Sequence, residues 1–431
     1  MSESRASFFR QSAWLALATV IGGAFMTAVH PVASEMGRAQ YEVFGAMLRV
    51  FLLLGIPSAG LQTSFAQQAA ASLTPEGRGR LATTTRRVLG GIAVLWLLMV
   101  IATFLGRETV SAHLKLGDGR VLWPTLGVGL MWLVLPVLRG LLQGEQDFAT
   151  LGWVSILDGF LRLSLMLVAV FALHLAAAGA LTAAFLGMLF STAIAFWRTR
   201  AIWSGPASPF EWRPWLAQVL PFTLGAGAML VLANVDLIYL KAVIPESRSE
   251  EFGLGQNYQP ASMIGFAMVQ FTVPIAMVMF PKIVRSTASG GKSDALALAL
   301  VGTLVLGAIA AGLATAFPRL PLQIVYFRTP ANVAAAPMVP WCAWAMLAFS
   351  LANVLVSNLL AQGRFTIVPW TVLVVAAFLG TLAWMAPLLL EREPFAAFRL
   401  VAMAIGGFNL LLLGIAALLT WGGRRATHPT P

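Results

Sequence analysis

Asp158 and Arg162 stand four residues apart inside the apolar run from Leu151 to Leu173. On a helix that spacing puts a carboxylate and a guanidinium on one face at ion-pair distance. Ionisable groups are costly in a bilayer and are functional candidates wherever they occur. Two readings stay open for this pair: a self-neutralised structural pair, or side chains that line a polar cavity and touch substrate. Arg49 is the sharper cationic candidate, because no acidic residue lies one turn from it. Asn234, Asp236 and Lys241 gather at the end of another apolar run, and Arg399 lies near one end of the last. For Lys241 and Arg399, snorkelling to the membrane boundary competes with a place in a cavity. Gln62, Gln270, Asn353, Asn358 and Asn409 are uncharged polar residues suited to interhelical hydrogen bonds or to lining a path.

The remaining chemistry is sparse. Only four histidines occur, and no carboxylate pair, nucleophile motif or phosphate-binding glycine loop accompanies them. The expectation is that the chain is not an enzyme, has no cofactor, and draws on a sodium gradient, a proton gradient or the membrane potential. Cys342 is the one cysteine, so an intramolecular disulfide or a cysteine-based metal cluster is excluded.

The elements that must position these residues follow from composition. With 59% hydrophobic and 10% charged residues in 431, the chain cannot cover a water-soluble globule with polar surface. A spanning helix needs roughly 20 apolar residues, and the sequence predicts about twelve. They run near Trp14–Ser34, Glu42–Ser64, Val88–Leu105, Val121–Leu142, Leu151–Leu173 and Ala176–Trp197, then Leu216–Leu240, Gln259–Phe280, Ala295–Phe317, Val339–Leu360, Ile367–Leu390 and Phe395–Trp421. Sixteen of the 28 Lys and Arg residues, Arg139 among them, fall on the side holding both termini, against eight on the other and four within spans. The positive-inside rule then places both termini of a multi-pass membrane protein in the cytoplasm. The formal charge of +11 is therefore a mark of topology and points to the lipid bilayer, not to nucleic acid, as the partner.

An internal duplication divides the spans. Phe148-Ala-Thr-Leu-Gly-Trp153 matches Phe365-Thr-Ile-Val-Pro-Trp370 at an offset of 217, and Pro57 meets Pro274 at the same offset. Leu141-Leu-Gln-Gly144 and Leu359-Leu-Ala-Gln-Gly363 match with a one-residue shift. Span n pairs with span n+6, as in parallel repeats related by an axis along the membrane normal. The predicted fold is all-α, with two six-helix bundles, residues 1–203 and 204–431. The Ser204-Gly-Pro-Ala-Ser-Pro209 stretch separates them.

This layout, with Leu138-Arg-Gly-Leu-Leu-Gln-Gly-Glu-Gln-Asp-Phe148 and the Asp236-to-Tyr258 passage, resembles the polysaccharide-flippase branch of the multidrug/oligosaccharidyl-lipid/polysaccharide exporter superfamily. The resemblance implies two bundles forming a V around a central cavity that opens alternately to either side. It implies a substrate of undecaprenyl-diphosphate-linked oligosaccharide, flipped to the outer leaflet and handed to a glycan polymerase or assembly proteins. In that frame Arg49, Arg162, Lys241 and Arg399 bind the diphosphate, whose oxygens suit an arginine fork. Asp158, Asn234, Asp236, Gln270 and Asn409 supply polar or ion-coupling groups, with a sodium site near Asp236. Two alternatives remain: an ion-coupled multidrug exporter of the same superfamily and a flippase of lipid-linked peptidoglycan precursor. The chain lacks the two extra C-terminal spans of the latter.

Overall fold

A computed structural model describes residues 5–36, 40, 44, 47, 55–109, 119–206, 208–289, 294–326 and 330–422. Twelve long helices form among them: α1 (Arg5–Ser34), α2 (Gly55–Ala71), α3 (Pro75–Leu105), α4 (Leu122–Gly144), α5 (Phe148–Leu167) and α6 (Ala177–Trp203), then α7 (Trp212–Val243), α8 (Gln259–Ala288), α9 (Ala295–Ala316), α10 (Val339–Ala361), α11 (Ile367–Leu390) and α12 (Pro394–Gly422). No strand occurs among the described residues. Eleven helices are long and apolar enough to cross a membrane, each overlapping an expected span. The other expected span, Glu42–Ser64, runs for about half of its length over residues outside those described, and α2 begins within its described end.

Local chemistry sets several helix ends. Pro75 opens α3 behind Thr74, whose hydroxyl accepts the Gly77 amide at 3.1 Å. Both are favoured positions, since an N-cap oxygen satisfies an amide with no intrahelical partner and proline has none to satisfy. Asp147 does the same for α5, accepting the Thr150 amide at 3.2 Å. Near its far end α5 widens into a π-turn over Val168–Ala172.

The helices gather into two compact units. The N-terminal unit holds residues 10–223, and the C-terminal unit holds 1–9 and most of 224–431, the division falling within α7. Inside the N-terminal unit α2 packs on α4, α6 on both α4 and α5, and α3 on α4. Inside the C-terminal unit α12 packs on both α10 and α11, and α9 on α10. The α4–α6, α5–α6 and α3–α4 pairs thus recur as α10–α12, α11–α12 and α9–α10.

Lipid tails are as apolar as leucine, so helices in a bilayer associate through close packing of small residues. Gly140 and Gly144, one turn apart on α4, provide it. A Cβ on Gly140 would lie 2.5 Å from the Gln62 carbonyl oxygen, and one on Gly144 would lie 2.5 Å from Ala69 Cβ and 2.6 Å from the Ala66 oxygen. Gly22 of α1 and Gly159 of α5 make a second such seam, with Cβ positions 2.6 Å from the Ser155 oxygen and 2.4 Å from the Gly22 oxygen.

The duplication is sharpest where α4 and α10 end. Gln146 and Gly363, 217 residues apart, are both left-handed, with φ of 61° and 69°. Around each the same two hydrogen bonds close the helix. Asp147 N–H donates to Leu142 O (2.9 Å) and Gln146 N–H to Gln143 O (3.1 Å); Arg364 N–H donates to Leu359 O (2.9 Å) and Gly363 N–H to Leu360 O (3.0 Å). This is a Schellman motif, which satisfies the last carbonyls of a helix. The register through the turn is 217 without a shift, so the one-residue slip in the sequence match is not present in the backbone.

Candidate functional site

In the N-terminal unit a single carboxylate meets two guanidiniums. Arg162 grips Asp158 through Nε at 3.0 Å and Nη2 at 2.8 and 2.9 Å, as the four-residue spacing predicts. Arg139, at the end of the expected span Val121–Leu142 and counted from sequence with the residues on the side holding the termini, lies in α4 and adds a third contact, its Nη2 3.1 Å from the second carboxylate oxygen. Asp158 and Arg162 are buried. The Arg139 Nε is also buried and has no hydrogen-bond partner among the described residues. Gly187 of α6 lets that helix approach, since a Cβ there would lie 2.7 Å from the Arg162 backbone nitrogen. The cluster carries one net positive charge in a water-poor interior.

In the C-terminal unit a carboxylate has no cation beside it among the described residues. Asp236 of α7 is 4% exposed. Its partners among the described residues are two hydroxyls that donate to the same oxygen, Tyr258 at 2.9 Å and Ser262 at 2.7 Å. Tyr258 precedes α8 directly and Ser262 lies in its first turn, so the pair shares one face at a spacing of four. Two short helical turns, Ser249–Phe252 and Leu254–Asn257, lead the chain to that point. Phe252 and Tyr258 both stack on Phe398 of α12, at centroid distances of 5.8 and 5.2 Å, and this fixes the phenol. Cys342 of α10 is buried. One turn along, the Ala345 carbonyl accepts the Asn409 side-chain amide at 3.0 Å. The Asn409 Oδ1 is left buried with no hydrogen-bond partner among the described residues.

The other candidates are dispersed. Asn234 donates to the Leu230 carbonyl of its own helix at 2.9 Å and does not join the Asp236 hydroxyls. Gln270 is half-buried on α8. Arg399 is exposed and sits over the Trp341 ring at 5.4 Å, a cation–π contact. Lys241 lies in α7 with its side chain outside what is described, and Arg49 lies outside the described residues altogether. Among the described residues no group of three His, Cys, Asp or Glu is placed to hold a metal ion.

Arg139, Tyr258 and Ser262 were not legible as site residues. Hydropathy placed Arg139 within a turn of a span's end, where arginines normally meet water. The Tyr258/Ser262 spacing was a usable signal, but their partner lies 22 to 26 residues away across a loop.

These features define a multi-pass helical membrane protein built on an internal repeat, with a buried carboxylate in each half. No protein-family model and no curated protein matches the sequence. Solved structures do. A MATE protein in complex with MaL6 superposes with a TM-score of 0.79 at 14% identity, over 98% of this chain and 96% of that one. A multidrug resistance MATE family transporter of the MOP superfamily, in an outward-facing conformation, gives 0.75 at 13% identity over 99% and 97%. A MOP superfamily transporter from Pyrococcus furiosus, described as having a binding pocket of reverse polarity, gives 0.75 at 14% identity over 98% and 95%. The chain has the fold of the MOP-superfamily transporters.

Proposed function

We propose that this protein is an ion-coupled exporter of amphipathic organic compounds, with Asp236 as the coupling group and a proton as the coupling ion. The observation that carries the reading is the buried Asp236 carboxylate held by hydroxyls alone among the described residues. Among the described residues no cation lies beside this buried carboxylate, and a proton is the smallest positive charge that can be carried there. Hydroxyls suit both states, since each donates to the anion and accepts from the acid. The multidrug resistance transporter that shares the fold supports this choice of substrate over the lipid-linked glycan. The location is the inner membrane with both termini cytoplasmic, in keeping with the distribution of Lys and Arg.

Arg162 is engaged by Asp158, which takes one cation out of the set that a diphosphate would need. Sodium is the competing ion, with Asn409 Oδ1 as a further oxygen. The test uses the full chain in proteoliposomes with a fluorescent amphipathic cation outside. Vesicles acidic inside accumulate the dye and vesicles loaded with sodium at equal pH do not. Accumulation driven only by sodium overturns the proton assignment, and accumulation by neither overturns the exporter.

A second reading rests on the net positive Arg139–Asp158–Arg162 cluster with its unpartnered Arg139 Nε: flipping of a polyprenyl-diphosphate-linked oligosaccharide. Translocation of the lipid-linked glycan by wild type that Arg139→Gln abolishes, with no dye accumulation by either protein, favours it over the first.

A further inference from the structure

A groove on the N-terminal unit joins two arginines to a strip of membrane-facing aliphatics. It encloses about 610 Å³, between α3 and the first turn of α7. Its polar end is Arg86 and Arg87. Arg86 is tied down, its Nη1 donating to the carbonyls of Trp203 at 2.9 Å and Gly205 at 2.7 Å, while Arg87 is exposed. Its apolar end is Val94, Leu95 and Leu98, which are 60%, 55% and 59% exposed. Gly90 and Gly91 form the floor between the two ends. A Cβ on Gly91 would lie 2.8 Å from the Trp212 ring, so this glycine admits the indole that walls the groove. Trp212 is held from behind by Phe210 and Trp215, with centroids at 5.0 and 5.8 Å and rings nearly perpendicular.

The dimensions match a lipid. From Arg87 to Leu105, the end of α3, the helix rises about 27 Å, close to the roughly 30 Å hydrocarbon thickness. Arg87 therefore stands at headgroup level. Val94 and Leu98 lie about 10 and 16 Å deeper, among the acyl chains. An indole at the boundary is the usual companion of such a site, and basic recesses between spanning helices bind anionic headgroups.

We propose that this groove is a binding site for one anionic phospholipid, its phosphate on Arg87 and Arg86 and one acyl chain along Gly90, Gly91 and the exposed aliphatics. Charge complementarity and the match of polar and apolar ends to headgroup and tail select that occupant over a peptide or a second copy of the chain.

The test is native mass spectrometry of the full chain titrated with phosphatidylglycerol, against phosphatidylcholine. A Cβ on Gly90 meets nothing within 4 Å, so Gly90→Leu fills the groove without disturbing the helix. Arg87→Gln removes the charge and keeps the shape. Arg87→Gln is expected to weaken binding of one phosphatidylglycerol about fivefold, the value of one arginine at a membrane surface, and Gly90→Leu to weaken it by excluding the acyl chain. Arg200→Gln, which removes an arginine stacked on Trp197 outside the groove, leaves binding unchanged. Equal binding by wild type, Arg87→Gln and Gly90→Leu overturns the site. So does an equal loss in Arg200→Gln, which assigns the preference to diffuse surface charge.

Discussion

Arg139 on α4 reaches the Asp158 carboxylate on α5 at 3.1 Å, although Arg162 already holds both oxygens of that group. The carboxylate and Arg162 are therefore unequal in what their loss exposes. Asp158→Asn leaves two guanidiniums facing each other in the interior and is expected to destabilise by about 3–5 kcal/mol, the usual cost of stranding a buried charge. Arg162→Gln leaves Asp158 paired with Arg139 and costs less than half as much. Thermal unfolding of purified variants in one detergent, followed by tryptophan fluorescence, ranks them; the reverse order would show that Arg139 does not share the carboxylate.

The two Schellman turns make opposite expectations for similar-looking changes. Gln146 holds φ of 61° without being glycine, a left-handed conformation that costs an L-residue about 1–2 kcal/mol. Gln146→Gly is expected to stabilise by about 1 kcal/mol and Gly363→Ala to destabilise by about the same. Chemical-denaturation midpoints measure both, and a stabilising Gly363→Ala would contradict the shared turn geometry.

The residue after each left-handed position ties its turn to a helix of the same unit, α6 or α12, by different chemistry. Asp147 accepts Arg198 Nε of α6 at 3.0 Å, whereas Arg364 donates to the Leu419 carbonyl of α12 at 2.6 Å. Burial pushes the Asp147 carboxyl up, but hydrogen bonds from Thr150 and the Arg198 pair outweigh it and hold the group below its ordinary value of 3.8. A depressed carboxylate contributes stability that is present above its ordinary value and lost as pH falls through the folded-state value. The melting temperature of wild type relative to Asp147→Asn is thus expected to be constant from neutral pH down to about 4 and to fall below it. A difference unchanged at pH 3 would show that the carboxylate is not held in its charged form.

Much of this architecture could be read from residue types, because the bilayer imposes one rule on every span: about 20 apolar residues with all backbone groups satisfied within the helix. That is why Val88–Leu105 and Ile367–Leu390 were placed from hydropathy, and why the offset of 217 between Phe148 and Phe365 marked a real duplication. The Asp158–Arg162 pair was legible because it is local, one turn of one helix. Arg139 was not, since its partner sits on another helix and its own position near a span's end looks aqueous. The Asp236 hydroxyl partners were missed for a similar reason: Tyr258 approaches only because Phe252 and Tyr258 stack on Phe398, some 140 residues further on. Packing across helices, unlike periodicity within them, leaves no mark in spacing.

Asp236 is the residue on which proton coupling turns. Asp236→Asn keeps the side chain's size and an oxygen for the Tyr258 and Ser262 hydroxyls while removing the capacity to carry a proton. The deciding measurement is accumulation of a fluorescent amphipathic cation in acid-inside proteoliposomes, at matched protein content and with dye binding measured in parallel. The account predicts that Asp236→Asn binds dye as wild type does and fails to accumulate it. Gradient-driven accumulation at the wild-type level by that variant would contradict it.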